Sequence, residues 1–253
     1  MVARTDKVDD PVIKAALLLA RRGTAYFSRK LNELRDDEFD HPSLLPGWSR
    51  RHLIAHVGYN ARSLTRLTEW AATGVENPMY ESREARDQEI EYGATLSPLA
   101  LRNLSAHAAV HLNVEWRDLP KKAWKAEVRT ATGRAVPVST TVWMRTREVW
   151  LHAVDLNNGA SFTHFPAELL DHLLADVLSN WRKRQGAEDI PNFVLEPTDR
   201  DESRRVGAGG GDGEPEVILR GTAAALARWA TGRGFAGVMS ADGSPVPAAP
   251  RWL

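Results

Sequence analysis

The segment Arg145-Thr-Arg-Glu-Val-Trp-Leu-His152 lies inside a predicted helix, residues 140–156, and gives that helix a polar stripe. Spacings of three and four residues place five polar side chains on one face: Thr141, Arg145, Glu148, His152 and Asp155. Apolar residues flank the stripe: Val142, Trp143, Val149, Leu151 and Val154. Burying such polar groups costs free energy unless they are paired or bind a metal. The stripe therefore predicts an ion-paired or metal-binding site within a helical core.

Glu148 and His152 are one helical turn apart, so both side chains can point at a single ion. A third ligand must come from another helix, and His56 is the best candidate. Facing helices of a bundle often supply the ligands of a metal site. Two imidazoles and a carboxylate, with an open fourth position, are typical of catalytic zinc. Asp155 and Asn60 could then orient the imidazoles from behind.

The same residues also allow a purely structural interpretation. His56 and His152 could be hydrogen-bonded core histidines, with Glu148 paired to Arg145. A glutamate and a histidine four residues apart are common in helices, so the spacing leaves both interpretations open.

The other histidines give a rival candidate and several surface positions. His107 and His111 are also four residues apart, and Glu115 is an acidic residue near them in the sequence. His52 lies one turn before His56 and could reach the same cavity, although an exposed position at the helix start fits it equally. The remaining isolated histidines are predicted to lie on the surface: His41, His164 and His172.

Long helices are predicted in four places, at residues 12–35, 50–73, 98–116 and 140–156. Three start signals are Asp10-Pro11, Ser49 and Ser97-Pro98, because Asp and Ser cap helix N-termini and proline suits the first turn. A short helix over 83–92 and a hairpin over 127–138 are predicted in the longer connections. This pattern favours a four-helix bundle.

The composition changes at residues 157–166, and we place a domain boundary there, which gives domains at 1–160 and 161–253. Beyond it the pattern predicts a mixture of elements: helix 166–184, strand 192–196, strand 216–220, helix 222–230 and a final strand at 237–240. The second domain is therefore predicted to be small and mixed α/β.

Two glycine-containing stretches of the second domain invite a functional interpretation. Residues 207–213 lack the lysine and the hydroxyl side chain of a phosphate-binding loop, so they favour a flexible connection. Arg233 follows a predicted helix and stands between Gly232 and Gly234. It could reach toward the other domain, or it could be a solvated arginine beside a helix C-cap.

The composition argues against several classes of protein. The 253 residues contain 33 Lys and Arg against 33 Asp and Glu, which argues against a nucleic-acid or polybasic membrane surface. The chain has no cysteine, which excludes disulfides, thiolate ligands and a cysteine nucleophile. No apolar run approaches the roughly 18 residues of a membrane span, and no secretory signal is visible, so a cytoplasmic location is expected.

The chain resembles the mycothiol-dependent maleylpyruvate isomerases of actinobacteria, within the wider DinB-like superfamily. Two motifs carry most of the resemblance: Leu45-Pro-Gly-Trp-Ser-Arg-Arg-His-Leu-Ile-Ala-His-Val57 and Trp143-Met-Arg-Thr-Arg-Glu-Val-Trp-Leu-His-Ala-Val-Asp-Leu156. The likeness extends to Asn77-Pro-Met-Tyr80, to residues 91–96 and to the C-terminal stretch from Ala230. Residues 199–214 depart from it as a variable insertion.

This resemblance implies an α+β two-domain fold, with a DinB-like four-helix bundle followed by a small αβαββα domain. It implies zinc bound by His56, Glu148 and His152, with Arg233 contributed by the second domain for activity. Arg233 would pair with a carboxylate of the substrate or bind the thiol cofactor through one of its carboxylates. Mycothiol would be the thiol cofactor. The small-molecule substrate would be maleylpyruvate, which is converted to its trans isomer fumarylpyruvate in the catabolism of aromatic compounds.

We expect a monomer that needs neither nucleic acid nor membrane. Two alternatives stay open on the same scaffold: another mycothiol-dependent S-transferase, and a non-catalytic metal-binding DinB-like protein.

Overall fold

The computed structural model of the protein describes residues 5–206 and 216–252. These residues divide into two compact units, of which the first ends at Ala160 and the second begins at Ser161. The glycine-rich stretch 207–213 lies outside the described residues. Within the described ranges, no helix combines the length and the apolar character that a membrane crossing requires.

The first unit is a four-helix bundle with two additions. The bundle helices are α1 (Pro11–Asn32), α2 (Arg50–Thr73), α4 (Pro98–Asp118) and α5 (Thr140–Asp155). The additions are the short helix α3 (Arg83–Ala94) and the hairpin of β1 (Glu127–Arg129) and β2 (Ala135–Pro137). Helix α2 packs on α4 and α5, α1 packs on α5 and α4, and α3 lies against α2.

Local capping explains where the bundle helices begin and end. The Asp10 carboxylate accepts a hydrogen bond from the Val12 backbone N–H at the start of α1, and the Ser97 hydroxyl accepts one from Ala100 at the start of α4. These side chains satisfy backbone donors that have no partner within the helix. At the other end of α2, Gly74 adopts φ 77°, the left-handed conformation that ends many helices.

The core of the first unit contains buried apolar residues from all four bundle helices and from the hairpin. Its members include Leu17, Leu64, Leu67, Leu112, Trp124, Val128 and Val142. The Trp116 indole donates a hydrogen bond of 3.1 Å to the Thr141 hydroxyl, so α4 and α5 also share a buried polar contact. One continuous core therefore fixes the relative positions of α2 and α5.

The second unit is mixed α/β, so the α+β class expected from the sequence is confirmed. Its elements are α6 (Ala167–Arg184), β3 (Asn192–Pro197), β4 (Arg204–Arg205), β5 (Glu216–Gly221), α7 (Ala223–Ala230) and β6 (Met239–Ser240). The sheet order is β4-β3-β5-β6, with β3 and β5 parallel and the outer pairs antiparallel. Trp181, Phe193 and Trp229 pack their rings together in its core.

Two details of this unit differ from the sequence expectations. The described elements follow the order αβββαβ rather than αβαββα. Strand β4 lies within the stretch 199–214, which the sequence indicated only as a variable insertion. Two consecutive arginines show no alternation of apolar and polar residues, so the sequence does not indicate a strand here. The strand forms because Arg204 and Arg205 pair with Leu195 and Val194 of β3.

Gly23 marks the closest approach between α1 and α5. A Cβ atom at Gly23 would lie 2.5 Å from the Trp150 ring and 2.7 Å from a Val149 methyl group. Gly23→Ala should therefore destabilise the protein by about 1–2 kcal/mol, because overpacking outweighs the helix propensity of about 1 kcal/mol that alanine gains over glycine. Urea unfolding measures the change.

The control is the double variant Gly23→Ala/Trp150→Phe, whose smaller ring makes room for the added methyl group. Its loss of stability should be smaller than the sum of the two single losses, since contacting residues are not additive. A Gly23→Ala protein that is more stable than the wild type would contradict the close approach of α1 and α5.

Candidate metal centre

Helices α2 and α5 bring His56, Glu148 and His152 together. Nε2 of His56 lies 3.0 Å from Oε2 of Glu148, and Nε2 of His152 lies 3.0 Å from the same oxygen. The two imidazole rings meet edge to face with their centroids 5.1 Å apart. One ligand atom from each side chain lies within 4.8 Å of the other two, a spacing at which they could hold one metal ion.

Asp155 orients His152 from behind. Its side chain is fully buried, and its Oδ2 lies 2.9 Å from Nδ1 of His152. When the ring is neutral, a carboxylate at Nδ1 holds its one proton there, which leaves Nε2 as the lone-pair atom on the side of Glu148. Asp155 therefore prepares His152 as a metal ligand.

Arg145 connects the two helices that carry the candidate ligands. Its guanidinium is 2% exposed and donates to the Val57 carbonyl at 2.7 Å and to Oδ1 of Asn60 at 3.0 Å. The pairing of Arg145 with Glu148, which the structural interpretation of the sequence allowed, is therefore replaced by a link from α5 to α2. Asn60 accepts from Arg145 instead of orienting an imidazole. The physical reason is that α5 faces α2 at this level, and buried carbonyl oxygens need donors.

The two histidines differ in their proton affinity. Burial lowers the pKa of His56, and the nearby Glu148 carboxylate offsets this only in part. Burial also opposes charge on His152, but hydrogen bonds to Asp155 and Glu148 outweigh it and raise the pKa of His152 to about 9. Burial by itself would raise the pKa of Glu148, but the two histidines hold it well below its usual range.

Two neighbours of the site were not expected from the sequence. Nη2 of Arg86, on α3, lies 3.4 Å from Nδ1 of His56. The Trp48 ring, from the loop before α2, lies over His56 with a centroid distance of 5.4 Å. The sequence pattern could have indicated Arg86, because it shares one face of α3 with Ile90 and Gly93. Those two residues mark the side of α3 that packs inward.

A cavity of about 590 Å³ opens between α2, α3 and the loop that carries Asn77-Pro-Met-Tyr80. Tyr80 lines this cavity, and its environment includes the charges of Arg86 and Glu148. Burial raises the pKa of the Tyr80 phenol, although a hydrogen bond with Ser63 partly opposes the change. The tyrosine is therefore a neutral hydrogen-bonding group beside the candidate metal centre.

The remaining histidines lie elsewhere. Nδ1 of His52 contacts the Ser49 hydroxyl at 2.7 Å, at the start of α2, and His52 is not part of the triad. His107 is exposed, whereas His111 meets Glu115 and also Glu69 of α2 at 3.6 and 3.8 Å. Three histidines predicted at the surface are exposed: His41, His164 and His172.

Arg233 lies in the turn after α7, between two glycines with positive φ angles of 77° and 99°. Its Nη1 donates to the Thr231 carbonyl at 2.8 Å, and its own carbonyl accepts from Nε of Arg228 at 2.9 Å. These contacts lie within the second unit and fix the turn that carries the guanidinium. The glycines are needed because L-residues rarely adopt this conformation.

Fold and site together define a two-domain protein with a candidate metal centre of nitrogen and oxygen ligands in a helical bundle. The family described as "Mycothiol maleylpyruvate isomerase N-terminal domain" matches residues 20–157, and "MDMPI C-terminal domain" matches residues 164–249. The chain belongs to the mycothiol maleylpyruvate isomerase family, which confirms the resemblance seen in the sequence.

Solved structures give the same result. The crystal structure of a mycothiol-dependent maleylpyruvate isomerase is 48% identical to this chain, with a TM-score of 0.87, over 96% of this chain and 98% of that one. A mutant of that isomerase, in which alanine replaces a histidine, matches with the same values. Comparison with curated protein sequences gave no significant match.

Metal binding should release a proton near pH 7. His152 is protonated there because its pKa is raised to about 9, and a protonated imidazole cannot bind a metal. Metal affinity should therefore rise with pH up to about 9, by roughly tenfold per pH unit. Calorimetry of chelator-treated protein, in buffers of different ionisation enthalpy, measures the protons released.

Asp155→Asn is the matched variant for this measurement. It should release fewer protons, because the carboxylate that helps to raise the pKa of His152 is gone. Equal proton release by the variant and the wild type would show that Asp155 does not act on His152 as its position indicates.

Proposed function

We propose that this protein isomerises maleylpyruvate to fumarylpyruvate with mycothiol as cofactor, at a zinc ion bound by His56, Glu148 and His152. The observation that carries the proposal is the 48% identity to a mycothiol-dependent maleylpyruvate isomerase over 96% of the chain. The convergence of the three candidate ligands from α2 and α5 supports it.

The three side chains fit zinc. Ligand atoms around a tetrahedral zinc ion, at bond lengths of about 2.0–2.2 Å, lie roughly 3.3 Å apart. The two imidazole nitrogens are 3.0 Å from the Glu148 oxygen, so small side-chain shifts suffice. The carboxylate of Asp155 behind His152 is the outer partner that histidine ligands commonly have. Three protein ligands leave a tetrahedral ion one position for another molecule.

The reaction needs a temporary loss of the double bond. Maleylpyruvate contains a cis alkene that cannot rotate while its π bond is intact. A thiolate that added to the alkene would form a C–S bond and move the π electrons onto the conjugated carbonyl oxygen, which would leave a single bond that can rotate. Elimination would break the C–S bond, form the trans alkene and return the thiolate. The nucleophile would come from the thiol cofactor, which is consistent with a chain that has no cysteine.

The side chains of the protein have separate roles in this scheme. When bound, zinc supplies a site that stabilises a thiolate or polarises a carbonyl oxygen. Asp155 keeps the proton of His152 on Nδ1, away from the ligand side. Arg233 would pair with a carboxylate, either of the substrate or of the thiol cofactor, a contact for which the planar guanidinium is well suited.

The test of the function is a turnover assay with maleylpyruvate, followed by ultraviolet absorbance with and without mycothiol, on protein of measured zinc content. We expect isomerisation only when both zinc and mycothiol are present. Conjugation of generic electrophiles without isomerisation would replace the proposal by an S-transferase. A zinc-containing protein that performs neither reaction would be a non-catalytic metal-binding protein.

His56→Ala should lose zinc and turnover together, because α2 then contributes no ligand and two ligands on one helix hold zinc weakly. Metal analysis and the isomerase assay are made on the same sample. His107→Ala, an exposed histidine of α4, is the control and should keep both properties. A zinc-free but fully active His56→Ala protein would remove zinc from the mechanism.

Arg233→Ala should keep zinc and the folded bundle but lower kcat/KM by about 100-fold or more, as removal of a charged group at the reacting centre typically does. Arg220→Ala, an exposed arginine of the same unit that pairs with Glu196, is the control. Unchanged kinetics for Arg233→Ala would exclude this residue from the site.

A further inference from the structure

The inner face of α3 places a charged residue against the bundle. Arg86, Ile90 and Gly93 follow one another at spacings of four and three residues, so they share one face of α3. Ile90 is 2% exposed. A Cβ atom at Gly93 would lie 2.6 Å from Cβ of Ala55, the residue before His56. This face of α3 is therefore packed tightly on α2, and Arg86 belongs to it.

The Arg86 guanidinium lies at the edge of the candidate metal centre. Its Nη2 is 3.4 Å from Nδ1 of His56. Its Nη1 donates at 2.7 Å to Asp87, the adjacent residue, and the two side chains are 29% and 55% exposed. Ion pairs exposed to this extent contribute little to stability, so Asp87 can be displaced by a better acceptor.

The contact with His56 cannot persist as a hydrogen bond once His56 binds a metal. His56 turns Nε2 toward Glu148, so Nε2 would be the ligand atom, and a metal-bound neutral ring would carry its proton on Nδ1. A guanidinium has only donors. Two donors would then face each other across 3.4 Å. Arg86 needs a different acceptor next to the metal centre.

The charges around the centre specify the kind of acceptor. Glu148 and the buried Asp155 balance the two positive charges of a divalent ion. Arg145 is buried, and its Nη1 is occupied by acceptors of α2, the Val57 carbonyl and Oδ1 of Asn60. Among the described residues, the carboxylate that pairs with Arg86 is the exposed Asp87. An anionic oxygen ligand is favoured at this edge.

We propose that Arg86 binds one carboxylate of the substrate at the edge of the metal centre. The inference rests on the proposed function, since maleylpyruvate carries two carboxylates. Arg86 would hold one of these two carboxylates, beside the ion that His56 binds. This contact would anchor one end of the substrate, while the other end is free to turn about the C–C bond that has lost its π character.

The test uses zinc-loaded protein and maleate, a stable cis-dicarboxylate, in titration calorimetry. We compare the wild type with Arg86→Gln, Arg86→Lys and the control Arg83→Gln, an exposed arginine of the same helix. The dissociation constant of maleate should rise about tenfold or more in Arg86→Gln, the loss expected for a charge-assisted pair. Arg86→Lys should recover part of the affinity, and Arg83→Gln should match the wild type.

A second ligand distinguishes a direct ion pair between Arg86 and a carboxylate from a general electrostatic effect of the arginine's charge. Maleamate, the half-amide, lacks one carboxylate and should bind the wild type more weakly than maleate. The ratio between the two ligands should shrink in Arg86→Gln, because the contact that distinguished them is lost. An unchanged ratio, equal maleate affinity in Arg86→Gln, or a wild type that does not bind maleate would each overturn the proposal.

Kinetics separate this inference from the function on which it rests. If the wild type isomerises maleylpyruvate, Arg86→Gln should raise KM for maleylpyruvate about tenfold or more and leave KM for mycothiol unchanged. Unchanged KM values for both would overturn the role of Arg86 and leave the function intact. If the wild type lacks isomerase activity, the proposed function fails, and the maleate measurements alone decide whether Arg86 binds carboxylates.

Discussion

The Glu148 carboxylate lies between two imidazoles that belong to helices distant in sequence, and the site exists only while those helices stay in register. Arg145 maintains this register from one turn away, through hydrogen bonds to Val57 and Asn60 on α2. Its Nε is buried without a hydrogen-bond partner in the described chain. A buried guanidinium that is incompletely satisfied is costly, so the link serves the position of the ligands more than the stability of the core.

Close packing between helices also holds the candidate ligands in position. Gly23 brings α1 onto α5, Gly58 lets Leu104 of α4 approach α2, and Gly93 brings α3 onto α2. At each position a methyl group would meet a neighbour at 2.8 Å or less. The bundle thus holds both ligand-bearing helices from the outside, and it places Trp48 and Arg86 beside His56.

Much of the fold could be predicted because helix limits depend on neighbouring residues. Caps at Asp10 and Ser97 and the left-handed Gly74 act within a few residues of themselves. Strand β4 could not be predicted, because its two residues have no strand pattern of their own. They form a strand only through their pairing with β3. The prediction that Asn60 orients an imidazole was wrong. Asn60 follows His56 by four residues on α2, but the side chain that it contacts is Arg145 of α5.

Contacts between residues of one helix follow from the sequence alone. Glu148, His152 and Asp155 are neighbours because an α-helix repeats every 3.6 residues, a geometry that needs no other part of the chain. The folded structure brings His56, 92 residues away, to face this stripe. It also brings Arg86 to His56 and Glu69 to His111. Such contacts depend on how whole helix surfaces interlock, and that complementarity belongs to no single segment.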